Sequence, residues 1–306
     1  MAERDPLVWL PFDPADLGEV PPGLRYEVFD PTRHVPASVD EVELYVTPYQ
    51  LGTAVADVLS RTPRRRVVKT LTAGVDAVRA AVPDGVTLCS GRGIHDASTA
   101  ELAVTLVLAG LRGIPDFVRD HDRRSWTPQW RPALADTHVL LVGYGAIGEA
   151  IEARLTPFEV SVDRVARSAR TGVHAITDLP GLLPRADVVI LVLPLTDETR
   201  GLVDAAFLAR LKDGALLVNV ARGPVVDTAA LVAELATGRI TAALDVVDPE
   251  PLPADSPLWD APGLLVTPHV GGASSAMWPR AHRLVREQLL RFAAGEPLAN
   301  VVGTRP

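Results

Sequence analysis

The 306-residue chain has little cysteine and no long apolar run, and each scarcity excludes a class of protein. With Cys89 as its single cysteine, the chain cannot form an internal disulfide, so a disulfide-stapled exported scaffold is excluded. The longest apolar runs, residues 102–111 and 186–195, are too short to span a bilayer. Residues 1–6 are charged and lack the apolar core of a signal peptide. We therefore expect a soluble, cytoplasmic protein with no membrane partner.

The charge balance excludes a further class of partner. The net charge is −8 at pH 7, so the chain lacks the overall positive potential that attracts nucleic acid. Hydrophobic residues make up 47% of the sequence, which is ordinary for a globular protein with sizeable cores. The length is sufficient for two domains. No metal site is predicted.

What the chain has in abundance is short apolar segments that alternate with helical patterns. Strands are expected at residues 7–10, 25–29, 43–47, 67–71, 87–90, 139–142, 160–166, 188–193, 215–220, 241–246 and 264–267. Helices are expected at residues 52–59, 76–81, 95–112, 149–155, 204–211, 228–236 and 280–294. The alternation predicts an α/β fold with two doubly wound parallel-sheet domains.

Residues 115–132 fit neither pattern, and we interpret them as an irregular polar stretch. The stretch carries Trp126 and Trp130, and two interpretations stay open for it. It is either a packed surface loop or an arm that reaches a second subunit. These tryptophans and Trp278 are also candidates to enter an active site, although packing is the commoner use of tryptophan.

The most informative feature is residues 139–148, an apolar strand that runs into Gly-x-Gly-x-x-Gly and then a helix. In this context Gly143 permits a tight turn and Gly145 lets a pyrophosphate approach the backbone. Gly148 lets the helix pack closely on the strand, and the start of the helix attracts the phosphates. The segment therefore predicts dinucleotide binding. The expected cofactor-binding residues here are Gly143, Gly145, Ala146, Ile147 and Gly148.

The end of the next strand indicates which dinucleotide. About twenty residues past the fingerprint, an NAD-binding unit normally has an acidic residue for the ribose 2′-hydroxyl. Here Arg167, Ser168 and Arg170 lie at that distance, and guanidinium groups bind a 2′-phosphate that an acid would repel. We therefore predict NADP(H) in preference to NAD(H). In the alternative interpretation, Asp163 ends the strand and the arginines are solvated.

Three later segments place polar groups where strands end, and open α/β sheets bind ligands at that edge. Arg222 follows a buried strand and precedes Gly-Pro, so its fixed charge is suited to bind a carboxylate. Glu250 lies between two prolines that restrain its backbone, and it is suited to orient a base. His269 follows a strand and precedes two glycines that permit close approach of a ligand.

Together these segments resemble the D-isomer-specific 2-hydroxyacid dehydrogenase family over nearly the whole chain. The motifs that carry the resemblance are the fingerprint and residues 73–76, 95–101, 193–199, 219–227, 244–253 and 267–269. The family's arginine, glutamate and histidine fall on Arg222, Glu250 and His269 in the expected order. Such glyoxylate/hydroxypyruvate reductase-like enzymes reduce a 2-oxo acid to a D-2-hydroxy acid with a nicotinamide cofactor, and the reaction is reversible.

The resemblance also implies an architecture. A Rossmann cofactor domain, residues 98–274, would be inserted into a flavodoxin-like substrate domain formed by residues 1–97 and 275–306. The cleft would hold the active site and close by a hinge. Such enzymes are commonly dimers, so a homodimer is expected.

The resemblance implies roles for the site residues as well. Arg222 would bind the substrate and stabilise charge on the reacting oxygen, and His269 would transfer the proton. Glu250 should raise the pKa of His269 and set its tautomer. Further cofactor contacts are expected from Pro194, Thr199, Ala221 and Asp245. Substrate contacts are expected from Tyr49, Ala73, Gly74 and Val75.

Two alternatives stay open. The same scaffold and residues could act on another small anion, formate or phosphite. A non-catalytic nucleotide-sensing protein could also retain the fingerprint and the three polar groups, although the chain ends soon after its last helix without an evident regulatory tail. The identity of the 2-oxo acid is not indicated, because the named residues address only the carboxylate and the ketone.

Overall fold

The structure, a computed structural model, describes residues 4–33, 35–49 and 52–302. The strands are β1 (Leu7–Leu10), β2 (Arg25–Val28), β3 (Val42–Val46), β4 (Val67–Lys69), β5 (Thr87–Cys89), β6 (His138–Val142), β7 (Ser161–Ala166), β8 (His174–Ala175), β9 (Val188–Leu191), β10 (Leu216–Asn219), β11 (Thr241–Leu244) and β12 (Leu264–Val266). The helices are α1 (Gly52–Leu59), α2 (Asp76–Arg79), α3 (Asp96–Arg112), α4 (Ile114–Asp122), α5 (Ala146–Leu155), α6 (Leu179–Leu182), α7 (Ala205–Ala209), α8 (Thr228–Ala236) and α9 (Met277–Ala294).

The chain divides into two compact units. The first joins Met1–His95 to Ser275–Pro306, and the second is the continuous stretch Asp96–Ser274. Each unit is built on its own parallel sheet.

The first unit has a five-stranded sheet in the order β2-β1-β3-β4-β5 within the described residues. All of its strand pairs are parallel, and this order is that of flavodoxin-like folds. Strand β1 is buried on both faces because helices cover each side. Val8 and Leu10 pack in one core with the apolar face of α9, whereas Leu7 and Trp9 pack in a second core with α1.

The second unit has a seven-stranded sheet in the order β12-β11-β10-β9-β6-β7-β8 within the described residues. The chain starts at the interior strand β6, adds β7 and β8 on one side, and then crosses to β9 and onward on the other. This is the Rossmann arrangement, in which the order reverses between β6 and β9 and leaves a ligand crevice at the strand ends. The predicted fold class is therefore confirmed.

One predicted loop contains a helix. Residues 115–132 were expected to be irregular, and this prediction is wrong for the first part, where α4 spans Ile114–Asp122. Pro115 lies in the first helical turn, a position where proline is tolerated because its missing N–H has no helical partner. The remainder of the stretch forms no regular helix or strand among the described residues, and both Trp126 and Trp130 are almost fully exposed.

Element ends also differ from the prediction by a few residues. The strand expected at 188–193 ends at Leu191 as β9, and the one expected at 67–71 ends at Lys69 as β4. The helix expected from 280 begins at Met277, so that Pro279 falls within its first turn. The strand after Asp187 was predicted too long because apolar residues continue past Leu191, where β9 ends.

Candidate active site

The polar segments singled out from the sequence follow adjacent strands of the second unit. β10, β11 and β12 are neighbours and run parallel, so their carboxyl ends lie along one edge of the sheet. Arg222, Glu250 and His269 all lie in loops that follow these strands. The fingerprint follows β6 at the same edge, because β6 pairs in parallel with β9 and β9 with β10.

The fingerprint glycines have three different environments. Gly143 adopts φ 107°, and a Cβ there would lie 2.5 Å from the carbonyl oxygen of Val192. A Cβ on Gly148 would lie 2.6 Å from the carbonyl oxygen of Gly143. A Cβ on Gly145 would meet no described atom within 4 Å. The fold itself therefore requires glycine at 143 and 148, whereas Gly145 faces open space.

The open space lies at the start of α5, whose first residues are Ala146 and Ile147. The first N–H groups of a helix have no partner within the helix, so they point toward whatever binds there. Since Gly145 leaves room for close approach, the turn and the start of α5 fit the pyrophosphate of a dinucleotide. In that complex the fingerprint residues would hold the pyrophosphate.

The residues expected to select the cofactor follow β7. Arg167, Ser168 and Arg170 are exposed. Nη2 of Arg170 donates a hydrogen bond of 2.5 Å to the carbonyl oxygen of Tyr144, within the fingerprint. Asp163 does not end the strand: it lies inside β7 and pairs with Arg185 at 2.8 Å. The acidic residue of the alternative interpretation is thus engaged elsewhere.

The loop after β9 contains Pro194 and Thr199. The hydroxyl of Thr199 donates to the carbonyl oxygen of Pro194 at 2.8 Å and accepts from the N–H of Thr196 at 2.8 Å. Thr199 is buried, and these two hydrogen bonds stabilise the loop. The structure gives Thr199 a structural task, in addition to the cofactor contact expected from the sequence.

A histidine and a carboxylate meet at the edge of the sheet. Nδ1 of His269 lies 2.7 Å from Oε2 of Glu250, and Oε1 of Glu250 accepts from the N–H of Val247 at 3.1 Å. The hydrogen bond that His269 donates to Glu250 raises the pKa of His269, and it outweighs the opposing effect of burial. Burial acts to raise the pKa of Glu250, but the bond from His269 and its charge outweigh this and leave the pKa lowered. The pair therefore favours imidazolium beside carboxylate.

Arg222 is close enough to act on both members of this pair. Its charge contributes to the lowered pKa of Glu250 and works against the raised pKa of His269. The loops that carry the arginine and the glutamate are in direct contact, because a Cβ on Gly223 would lie only 1.8 Å from the carbonyl oxygen of Val247. Glycine at 223 is what permits this approach.

The turn before Arg222 depends on a residue that the sequence analysis did not single out. Asn219 is fully buried at the end of β10. Its Oδ1 accepts from the N–H of Ala221 at 2.9 Å, and its Nδ2 donates to the carbonyl oxygen of Arg222 at 3.0 Å. A lone amide at the end of an apolar strand was the available signal, since such a side chain needs partners when buried.

Asp245 organises the loop that carries His269. Its Oδ1 accepts from the hydroxyl of Thr267 at 2.6 Å and from the N–H of Val270 at 2.9 Å, and its Oδ2 accepts from the N–H of Gly271 at 2.8 Å. The N–H of His269 itself donates to the carbonyl oxygen of Asp245 at 2.8 Å. These bonds hold His269 at φ 53°, a left-handed conformation that is uncommon for residues other than glycine.

The residues expected to contact substrate lie in the first unit. Ala73, Gly74 and Val75 form the loop between β4 and α2, and the hydroxyl of Thr72 donates to the carbonyl oxygen of Gly74 at 2.7 Å. The ring of Tyr49 packs 5.1 Å from that of His95. Trp278, at the start of α9, packs against Phe12 and remains partly exposed.

In residues 4–33, 35–49 and 52–302, no group of three or more His, Cys, Asp or Glu side chains is arranged to hold a metal ion. Over the same ranges no single helix is long and apolar enough to cross a membrane. The pair α3 and α4, bent by 66°, passes that test together by length and composition only.

Comparison with known proteins indicates the family of this chain. Residues 104–271 match the family described as D-isomer specific 2-hydroxyacid dehydrogenase, NAD binding domain. A glyoxylate reductase of Thermofilum pendens is 34% identical over 256 residues, which cover 79% of this chain and 76% of the relative. A D-3-phosphoglycerate dehydrogenase of Mycobacterium tuberculosis is also 34% identical, and the match spans 49% of its length.

Solved structures match over almost the whole chain. A D-isomer specific 2-hydroxyacid dehydrogenase from Xanthobacter autotrophicus, in complex with NADPH and MES, has a TM-score of 0.82 and 34% identity and covers 98% of each chain. An NADPH-dependent glyoxylate/hydroxypyruvate reductase from Sinorhizobium meliloti, in complex with NADP and sulfate, has a TM-score of 0.80 and 30% identity and covers 97% of each chain.

The fold and the fingerprint define a dinucleotide-dependent oxidoreductase. More specifically, the chain belongs to the D-isomer specific 2-hydroxyacid dehydrogenase family. The resemblance inferred from the sequence motifs is thereby confirmed, as is the prediction that the protein is an enzyme that uses a nicotinamide cofactor.

Proposed function

We propose that the protein reduces a small 2-oxo acid to the D-2-hydroxy acid, reversibly, and that it prefers NADPH to NADH. The observation that carries this proposal is the contact between His269 and Glu250 with the charge of Arg222 beside it. Such a set combines a proton donor held in its charged form with a fixed cation for a carboxylate. The glyoxylate reductase among the relatives supports the substrate class.

The roles follow from the contacts of each side chain. The reduced nicotinamide, when bound, supplies a hydride for the keto carbon. His269 gives the proton to the substrate oxygen through Nε2, because Nδ1 is bonded to Glu250. Glu250 raises the pKa of the imidazole, which favours its charged form, and orients the ring. In the reverse direction the neutral imidazole takes the proton from the hydroxyl group.

Arg222 binds the substrate carboxylate and stabilises the negative charge that develops on the keto oxygen. A planar guanidinium suits both tasks, because it presents paired N–H donors and stays charged at any working pH. The buried amide of Asn219 fixes the turn from which this side chain starts. We further propose that the backbone N–H groups of Ala73, Gly74 and Val75 bind the carboxylate, and that Tyr49 contacts the substrate side chain.

The NADPH preference rests on the residues after β7. Arg167 and Arg170 follow the strand where an NAD-specific unit carries an acid, and Ser168 lies between them. The relatives from Xanthobacter autotrophicus and Sinorhizobium meliloti are described with NADPH and NADP, which supports the same preference here. Exposed guanidinium groups are suited to bind the 2′-phosphate with charge-assisted hydrogen bonds.

The experiment for the cofactor compares kcat/KM for NADPH and NADH in the wild type and in Arg167→Ala and Arg170→Ala. Each variant should lower kcat/KM for NADPH by roughly tenfold, the effect of one charge-assisted hydrogen bond, with little change for NADH. Arg210→Ala is the matched control, because Arg210 is an exposed arginine of the same unit outside this loop. A wild type that prefers NADH would contradict the proposal.

The experiment for the substrate is an assay of NADPH oxidation over 2-oxo acids graded by side-chain size, from glyoxylate and hydroxypyruvate to phenylpyruvate. We expect turnover of the small members, and a D-configured product from those, such as hydroxypyruvate, whose product is chiral. The panel also includes NADP⁺ reduction with formate and with phosphite. Turnover of either anion without turnover of any 2-oxo acid would replace the proposed reaction.

We also propose that the protein is a homodimer. Trp126 is 95% exposed and Trp130 is 102% exposed, and Ile114 and Val118 of the neighbouring helix α4 are about half exposed. Exposed apolar side chains this close in sequence are typical of an interaction surface. Light scattering on the wild type and on Trp126→Ser/Trp130→Ser tests this. We expect a dimer that the double substitution weakens, and a monomeric wild type would contradict it.

A further inference from the structure

The side chain of Tyr144, the residue that separates Gly143 from Gly145, lies close to two arginines. The guanidinium carbon of Arg164 is 5.7 Å from the centre of its ring, and that of Arg170 is 5.6 Å from it. Both distances are within the range of a cation–π contact. The dinucleotide fingerprint thus presents an aromatic face to two cations.

The two arginines differ in what compensates their charge. Arg164 forms a two-pronged ion pair with Glu152, through Nε to Oε2 at 2.7 Å and through Nη2 to Oε1. Arg170 instead donates from Nη2 to an uncharged acceptor, the backbone carbonyl of Tyr144, at 2.5 Å. That bond leaves the charge of Arg170 available to an anion, whereas the charge of Arg164 is neutralised by its partner.

The ring of Tyr144 is itself fixed in place. Its hydroxyl donates to Oε2 of Glu152 at 2.5 Å, the same carboxylate that pairs with Arg164. Glu152 lies on α5, directly behind the fingerprint turn. Glu152, itself paired with Arg164, therefore holds the ring of Tyr144 near Arg170 through the tyrosine hydroxyl.

The side chain of Arg170 bridges two elements that flank the ribose of a bound dinucleotide. It starts in the loop after β7 and ends on the backbone of the fingerprint. In a Rossmann unit the ribose lies between these two elements. A free arginine on an exposed loop would lose side-chain freedom when it binds a phosphate, and an arginine already held on a ring loses less.

We infer that Tyr144 is a positioning residue that determines cofactor specificity, because it holds Arg170 where the 2′-phosphate of NADP(H) binds. The inference rests on the proposed NADPH preference and names the part of the chain that sets it. Tyr144 acts through Arg170 and does not itself contact the phosphate. The Glu152–Arg164 pair serves to hold the ring.

The test is calorimetric titration of the protein with NADP⁺ and with NAD⁺, which reports binding without turnover. The variants are Tyr144→Phe, Tyr144→Met, Tyr144→Leu, Arg170→Ala and the Tyr144→Met/Arg170→Ala double variant. Tyr144→Phe keeps the ring but loses the hydrogen bond to Glu152, so it should change the ratio of the two Kd values by less than the ring-less variants do. Tyr144→Met and Tyr144→Leu remove the ring and should raise Kd for NADP⁺ by about two- to fivefold, the usual effect of losing a cation–π contact at an exposed site, with Kd for NAD⁺ unchanged.

The double variant shows whether Tyr144 affects the Kd ratio through Arg170. If Tyr144 acts through Arg170, then Tyr144→Met has no further effect on the Kd ratio once Arg170 is alanine. Equal rises in both Kd values would mean that Tyr144 only shapes the turn, and this would overturn the inference. The use of two ring-less variants keeps the test open if one of them does not fold.

Failure of the inference is distinguishable from failure of the proposed preference. A wild type that binds NADP⁺ no more tightly than NAD⁺ refutes both. A wild type that prefers NADP⁺, with an unchanged ratio in Tyr144→Met and Tyr144→Leu, refutes only the role of Tyr144. In that case Arg170→Ala alone still reports whether the loop after β7 selects the cofactor.

Discussion

Nδ1 of His269 is hydrogen-bonded to Oε2 of Glu250 at 2.7 Å, although 19 residues separate them in the sequence. The carboxylate raises the pKa of the imidazole, so the proton-donating form persists to higher pH than in an isolated histidine. The same contact sets the tautomer, because the nitrogen that faces Glu250 keeps its hydrogen. One hydrogen bond thus controls both the charge and the orientation of the proposed proton donor.

The first prediction concerns Glu250→Gln. Loss of the carboxylate lowers the pKa of His269, so less imidazolium is present at neutral pH and above. As the pH rises, the rate of 2-oxo acid reduction should therefore begin to fall at a lower pH in the variant than in the wild type. At pH 7.5, kcat/KM should be lower by about 10- to 100-fold. The pH profile of kcat/KM in the reductive direction measures the shift.

The sign of this shift distinguishes a role in proton transfer from general damage. The rate limb that falls with rising pH should move toward acid in Glu250→Gln, whereas it should stay in place in Asp255→Asn. Asp255 is an exposed acid a few residues along the same loop, and its substitution changes the charge equally. An unchanged profile in Glu250→Gln would remove Glu250 from the proposed mechanism.

The second prediction separates charge from shape at Arg222. Arg222→Ala should lower kcat/KM for the 2-oxo acid by at least about 100-fold, as expected for loss of a preorganised cation at a developing oxyanion. Arg222→Lys keeps the charge but not the planar pair of donors, so it should recover only part of this loss. Kd for NADPH, measured by titration, should stay the same in both variants. Near-normal turnover in Arg222→Ala would refute the role.

The third prediction concerns the close contact at Gly223. A Cβ there would lie 1.8 Å from the carbonyl oxygen of Val247, so Gly223→Ala must push apart the loops that carry Arg222 and Glu250. We expect a loss of stability of about 2 kcal/mol or more together with a large loss of activity. Gly181→Ala is the control, because a Cβ at Gly181, within α6, meets nothing within 4 Å. Thermal unfolding and kcat/KM are measured for both variants. A Gly223→Ala variant as stable and active as Gly181→Ala would contradict the prediction.

The fourth prediction concerns a buried lysine in the first unit. Lys69 is fully buried on β4, and Nζ donates to the carbonyl oxygen of Ser90 at 2.5 Å. Burial lowers the pKa of Lys69 to about 8, although the nearby Cys89 and Glu287 act in the opposite direction. The folded state therefore binds the proton less tightly than the unfolded state, and the stability of the wild type should rise between about pH 8 and pH 10.5.

Lys69→Met should remove this dependence. At pH 7 the buried charge of Lys69 costs about 3 kcal/mol of stability, as the size of the pKa shift implies. The substitution should recover only roughly 1–2 kcal/mol, because the carbonyl of Ser90 then loses its hydrogen-bond donor. Burial raises the pKa of Cys89, and this makes stability fall as the pH rises. The test therefore compares the free energy of unfolding of the variant with that of the wild type at each pH. Urea unfolding at pH 7 and pH 10 measures it, with Lys212→Met as control. A difference that does not change with pH would contradict the prediction.

The sequence predicted the fold well because its strongest signals are local. Buried strands such as β6 and β9 are continuous apolar runs, and the helix that follows Gly148 begins next to the glycine turn. Element ends were predicted less well. α4 was missed because it is short, mostly polar and buries no side chain fully, although Ile114, Phe117 and Val118 have the i, i+3, i+4 spacing of a helix.

Local sequence signals also explain which site residues were predicted and which were missed. Arg222, Glu250 and His269 stood out because each follows a strand and is flanked by proline or glycine. Asn219 and the network around Asp245 did not stand out as supports. Their importance lies in hydrogen bonds to backbone groups up to 26 residues away, and a pattern along the chain does not report such bonds.

The sequence by itself determined the order of strands and helices, the glycine turn for a dinucleotide and the identity of the candidate reactive groups, because these depend on neighbours along the chain. The tertiary structure alone decided that Nδ1 of His269 meets Glu250, that Gly223 lets two loops come into contact, and that the ring of Tyr144 lies close to both Arg164 and Arg170. The physical reason is that the pKa of a group and the direction of its hydrogen bonds depend on atoms within a few ångströms. Only the packing of parallel strands places those atoms together.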